Sequence, residues 1–177
     1  MNPEPEKGTK KLFFIALLVK GDFAEVVRSL QEEMCEQFAA CQSLKSPPHI
    51  TLIPPFGADP NLSKDMVELC SSHQLEDLSG KAGSVDHFDD RVIFLSVEKK
   101  NEWTRLRKPL KASLKELGIK ASIRQTYHPH ITLGHKNLQP KFQNAWDYFK
   151  DREIDAIFEI SQPVLLHHNG QLWVVVD

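Results

Sequence analysis

The tetrapeptide His-Ile-Thr-Leu occurs twice in this chain, at 49–52 and at 130–133, 81 residues apart. Other landmarks share the offset. The turn pairs Asp89-Asp90 and Asn169-Gly170 are 80 apart, and the apolar runs Leu12–Val19, Val92–Val97 and Leu172–Val176 follow one another at about the same interval. One period carried by several unrelated features predicts an internal duplication, with similar lobes about a pseudo-twofold axis and repeat units of about 12–88 and 92–177. Two copies are too few for a solenoid.

The chain between the landmarks reads as mixed α and β. Leu12–Val19 is a continuous apolar run of strand length. Asp22, with Glu25 three residues on, resembles a capping box opening a helix whose inward stripe is Val27, Leu30, Met34, Phe38 and Cys41. A short strand 49–53 is expected to stop at Pro54-Pro55. A helix from Ser63 to about Leu75 comes next, then strands over 85–88 and 92–97 joined at Asp89-Asp90. Asn101 is expected to cap a helix with Trp103, Leu106, Leu110, Leu114 and Leu117 inward, kinked or broken at Pro109 and ended by Gly118. The stretch 119–127 is strand or loop. Pro140 opens another helix, and Asn169-Gly170 predicts a hairpin between 164–168 and 172–176. The fold class is therefore α+β and bilobal, with antiparallel sheet and helices in each lobe and a central groove. Residues 1–10 read as a flexible tail and 11–177 as a single bilobal domain.

Strand alternation gives the repeated tetrapeptide its chemistry. His49 and Thr51 share one face and Ile50 and Leu52 the other, and His130 and Thr132 oppose Ile131 and Leu133 in the same way. With the apolar faces in the lobe cores, a pseudo-twofold turns both polar faces into one groove. Two imidazoles that titrate near neutrality can serve together as general acid and general base. Two hydroxyls can donate to the oxygens of an anion held between them. In-line displacement at a phosphodiester needs these groups. A metal site is not expected, since neither motif carries a carboxylate or a third histidine at ligand spacing.

Composition narrows the partners. Lys and Arg number 22 against 24 Asp and Glu, so no global basic field exists to hold long nucleic acid through counterion release. No G-x-x-x-x-G-K-[ST] loop is present, which argues against ATP-driven ligation. The longest apolar run falls far short of the roughly 20 residues of a membrane span. Residues 1–9 carry two carboxylates and one lysine, unlike a signal peptide. Cys35, Cys41 and Cys70 are odd in number and lack a C-x-x-C pair, and are expected to be free buried thiols. A cytoplasmic monomer with no cofactor and no membrane contact is the expectation.

Pro48-His49-Ile50-Thr51-Leu52 and Pro129-His130-Ile131-Thr132-Leu133, symmetrically placed in a duplicated chain of this length, resemble the H-x-T-hydrophobic signatures of the two-histidine (2H) phosphoesterases. That family includes bacterial RNA 2′,3′-cyclic phosphodiesterases, also called 2′-5′ RNA ligase-like proteins. The resemblance runs from about Leu12 to Asp177. It implies metal-independent opening of a 2′,3′-cyclic phosphate on RNA termini or cyclic nucleotides to a 2′-phosphate, or action on 2′,5′ linkages or an ADP-ribose cyclic phosphate. It implies His49 and His130 as the acid/base pair, with His130 the base and His49 the acid, and Thr51 and Thr132 on the phosphate. Many bacterial relatives carry an arginine after the second motif, where this chain has Gly134-His135-Lys136. Lys136 is the candidate replacement, as a point charge. Phe56 stands where relatives place a base-stacking aromatic.

Tyr127, His128 and Arg124, just before the second motif, are further candidate substrate contacts. Lys99, Lys100, Arg105, Arg107, Lys108, Lys111 and Lys115 form a basic helix face, read mainly as solvated. Two other classes compete with the enzyme reading. A catalytically idle RNA-binding module has no use for two intact His-Thr pairs, and a metalloprotein would lose activity to chelator.

Overall fold

The computed structural model describes residues 9–177. Most of the predicted tail, residues 1–8, lies outside the described residues. Four helices and eight strands follow in the order β1 (Lys11–Lys20), α1 (Asp22–Phe38), β2 (His49–Ala58), α2 (Ser63–Ser71), β3 (Ser79–Phe88), β4 (Val92–Val97), α3 (Asn101–Glu116), β5 (His130–His135), α4 (Phe142–Phe149), β6 (Ala156–Ile160), β7 (Val164–His168) and β8 (Trp173–Val175). A 3-10 helix, Cys41–Lys45, links α1 to β2.

Every strand pairing is antiparallel. The strands form one sheet in the order β5-β4-β3-β6-β1-β7-β8, with β2 also paired to β1. One half holds β2-β1-β7-β8 and the other β5-β4-β3-β6. They join only where Val19 and Lys20 of β1 meet Ile160 and Glu159 of β6. The halves exchange strands: β3 follows α2 in sequence but pairs with β4, and β7 returns to pair with β1.

The continuous apolar run of β1 has a direct cause. Phe13, Ile15, Leu17 and Val19 enter the main core with Met34, Met66, Trp103 and Phe149. Phe14, Ala16 and Leu18 are buried on the opposite face with Leu166, against Val164 and Trp173. A strand covered on both faces needs apolar residues at successive positions.

Several expectations change. Pro54-Pro55 do not end the motif strand, which runs on to Ala58. They sit where the register slips between Phe13↔Phe56 and Ile15↔Ile53, and β2 is an edge strand, where a missing N–H breaks no ladder. Gly21, at φ 63°, takes the N-cap position of α1, and Asp22 makes no capping bond. Lys100 rather than Asn101 caps α3, which runs unbroken through Pro109. Pro140 lies in a 3-10 turn, Gln139–Lys141, ahead of α4.

The cysteine expectation fails for two of the three. Cys35 and Cys41 form a disulfide, and only Cys70 is free and buried. Ala39 turns left-handed (φ 58°) at the end of α1 and folds the chain back, so six residues of separation become 4.3 Å between Cα atoms. Cys41 is thus exposed at the start of the 3-10 helix, not inward on α1.

Candidate active site

The two motif strands open the same way. In β2 and β5 the Ile and Leu side chains are fully buried, and the His and Thr side chains are half-buried on the other face. In each strand the ladder slips at the motif leucine. Ala16 pairs with Thr51 and Ile15 with Ile53, leaving Leu52 as the extra residue. Phe94 pairs with Thr132 and Ile93 with Gly134, leaving Leu133. A bulge frees backbone carbonyls and re-aims the side chains beside it.

Side chains from the segment preceding the other motif take up those carbonyls. The Tyr127 hydroxyl donates to the Thr51 carbonyl (3.0 Å), and Arg107 Nε donates to that of Leu52 (3.0 Å). Gln31 Nε2 donates to the Thr132 carbonyl (2.8 Å), and Ser43 Oγ to that of Leu133 (2.6 Å). Residues between β1 and β2 therefore hold β5, and residues between β4 and β5 hold β2. Arg107 is buried and lies 4.2 Å from the Tyr127 ring centroid. It is a brace, not part of a solvated basic face. Burial lowers the Arg107 pKa and raises that of Tyr127.

Both imidazoles are oriented alike. His49 Nδ1 lies 2.8 Å from the Pro47 carbonyl, and His130 Nδ1 lies 2.8 Å from that of His128. A carbonyl only accepts, so each Nδ1 carries the proton and each Nε2 keeps a free lone pair. Both histidines and both motif threonines line one groove of about 340 Å³. Among the described residues neither threonine hydroxyl is engaged in a hydrogen bond. Desolvation pushes His49 down to about 4, with further lowering from nearby His130. Desolvation also lowers His130. Both shifts favour the neutral imidazole. Phe14 sits 4.9 Å from the His49 ring, and Phe88 and Phe94 at 5.0 and 4.9 Å from that of His130. These walls remove water from the imidazoles. Among the described residues no three His, Cys, Asp or Glu side chains gather as a metal-binding group.

The remaining predicted contacts divide. Lys136 lines the groove. Phe56 does not: it is buried in the core, 6.3 Å from the Phe13 ring, because the slip at Pro54-Pro55 turns it inward. Tyr127 is buried with its hydroxyl spent on Thr51, so it braces the strand and does not meet the groove. His128 and Arg124 are exposed and outside the groove wall. His128 lies edge-on to Phe88, and its carbonyl orients His130. The charge of Arg124 contributes to lowering His130. Sequence reading missed Phe14, Gln31, Trp173 and His135, which also line the groove. Gln31 alone carried a signal, a polar residue one position from Leu30 on an apolar helix stripe.

The comparisons agree with this architecture. The family model of the 2′-5′ RNA ligase superfamily matches residues 19–172. TT0787 of Thermus thermophilus superposes with a TM-score of 0.65 at 18% identity, over 94% of this chain and 95% of that one. E. coli LigT complexed with 3′-AMP gives 0.62 at 14% identity, over 95% and 96%. The MHV ns2 PDE domain gives 0.53 at 14%, over 92% and 100%. No curated protein sequence matches. With its family match spanning most of its length and the matching α+β fold, the chain belongs to the 2′-5′ RNA ligase superfamily, the 2H phosphoesterases.

Proposed function

We propose that this protein opens 2′,3′-cyclic phosphates, on RNA termini or nucleotides, to 2′-phosphates by paired-histidine acid/base catalysis without a metal. The observation that carries the reading is the matched pair of imidazoles lining one groove, each with Nδ1 tied to the carbonyl two residues before it and with no hydrogen bond to Nε2 among the described residues.

His130 Nε2 takes a proton from water as its oxygen attacks phosphorus. Protonated His49 gives its Nε2 proton to the 3′ oxygen as the P–O3′ bond breaks. Thr51 and Thr132 donate to the non-bridging oxygens, where charge builds. The cycle leaves His130 protonated and His49 neutral, and proton exchange with solvent restores the pair. The bound phosphate anion favours the charged imidazole that the dry groove disfavours. Both histidines come from one chain, so a monomer suffices. The nucleotide in the LigT complex with 3′-AMP fits a substrate of this class.

The test is turnover of the nucleoside 2′,3′-cyclic monophosphates in EDTA, with product isomers separated. Wild type is expected to yield the 2′-phosphate, and His49→Ala and His130→Ala to lose about 10²–10⁴-fold each. A 3′-phosphate product, or an EDTA-sensitive rate, would contradict the reading.

A further inference from the structure

The groove does not end at Lys136. Val92, His135 and Lys136 line it and also line a second cleft of about 260 Å³, whose other walls are Arg91, Asn137 and Gln139 with Leu138 beneath. Val92 and His135 are a paired couple of the β4–β5 ladder, so the two spaces meet across one strand end. Beyond it the chain makes two left-handed residues in succession, Lys136 (φ 48°) and Asn137 (φ 58°). That conformation is costly for lysine, and it leaves Lys136 on the wall of both spaces.

The shared rim is polar and short of partners. His135 Nδ1 is buried and, among the described residues, has none. Arg91 is exposed and, among the described residues, forms no ion pair. The neighbouring Asp90 carboxylate instead accepts two bonds from Gln139 Nε2 (3.2 and 3.0 Å). Two cations that form no ion pair among the described residues, an imidazole and an amide therefore border a cleft that shares Val92, His135 and Lys136 with the reaction groove, while Phe14 lies against His49 and packs edge-on to Trp173.

We infer that this second cleft binds a second phosphate of the substrate, so that the preferred substrate is an oligonucleotide end and not a cyclic mononucleotide. The inference rests on the proposed reaction for its reacting phosphate. Lys136 and Arg91 take the next phosphate along the chain. The side-chain amide of Asn137 is the available donor. A mononucleotide fills only the histidine groove.

The experiment compares uridine 2′,3′-cyclic phosphate with the dinucleotide UpU ending in a 2′,3′-cyclic phosphate, for wild type and Arg91→Ala, across a salt series. Wild type is expected to favour the dinucleotide in kcat/KM by about tenfold. Its log kcat/KM should fall more steeply with log salt, by about 0.7 for the one extra phosphate contact. Arg91→Ala should lose at least half of the preference and the extra slope, and leave the mononucleotide rate within twofold. Equal kcat/KM and equal salt slopes for the two substrates would overturn the inference, as would an equal loss on both in Arg91→Ala. If neither substrate turns over, the reaction assignment has failed. The cleft is then judged by affinity for UpU 3′-phosphate against uridine 3′-phosphate, where no difference abolished by Arg91→Ala would overturn it.

Discussion

His49 and His130 share a donor arrangement but not an environment. Burial holds both imidazoles below their ordinary value in the free protein, His49 at about 4. A mechanism that needs one proton on the pair runs best, in kcat/KM, between the two free-protein pKa values. Which histidine holds the proton does not change the profile, because the singly protonated forms are kinetically equivalent. The expected optimum therefore lies between about pH 4 and 6.5, with kcat/KM falling tenfold per pH unit above it. A flat profile from pH 6 to 8 would contradict this ionisation order. The same burial acts on stability. The unfolded chain takes a proton on His49 below pH 6.5 while the folded chain resists until about 4, so stability is lost as pH falls through that window. The loss is on the order of 3 kcal/mol, and His49→Asn should remove it from the difference between denaturation midpoints at pH 7 and pH 4.5.

At the scale of the element, the bulges at Leu52 and Leu133 and their crossed braces fix the motif strands. Tyr127→Phe deletes one bond to the Thr51 carbonyl without changing shape. It should cost about 1 kcal/mol in unfolding free energy and lower kcat more than it raises KM, because it loosens the strand that carries both His49 and Thr51. A loss in stability with kcat intact would reduce the brace to packing. These braces mark the limit of what could be read from the residues. The strand parity of His-Ile-Thr-Leu and the hairpin at Asp89 are local signals, and with the 81-residue offset they placed most of the elements and set His49, Thr51, His130 and Thr132 on the face opposite the buried Ile and Leu. Arg107 looked like one more cation on a basic helix, and Tyr127 like a residue beside the site. Their partners are backbone carbonyls 55 and 76 residues away, a separation that no periodicity encodes. Strand β6 escaped for a related reason: Ala156–Ile160 is exposed at alternate positions, with Ile157 on the outside.

Over the whole molecule, the exchange of β3 and β7 between the halves makes the groove a product of the entire chain. Loosening either half should therefore open the site. The Cys35–Cys41 disulfide bears on this, since it closes the turn between Gln31 on α1 and Ser43, the two residues that brace β5. Chain entropy for so short a loop gives about 2 kcal/mol, or roughly 4–8 °C in Tm for a protein of this size. Reductant should lower the wild-type Tm by that amount and leave a Cys35→Ser/Cys41→Ser variant unchanged. An equal Tm for oxidised and reduced wild type would show the loop to be held without the bond. Among the described residues no helix is long and apolar enough to cross a membrane.

The central claim is that two histidines act as one catalytic unit. It is tested most directly by kcat for a nucleoside 2′,3′-cyclic phosphate with His49→Ala, His130→Ala and the double variant in one cycle. Members of an acid/base pair are strongly non-additive, so the double variant should be no slower than the worse single variant within about threefold. Losses that multiply in the double variant, or a single variant within tenfold of wild type, would contradict paired action.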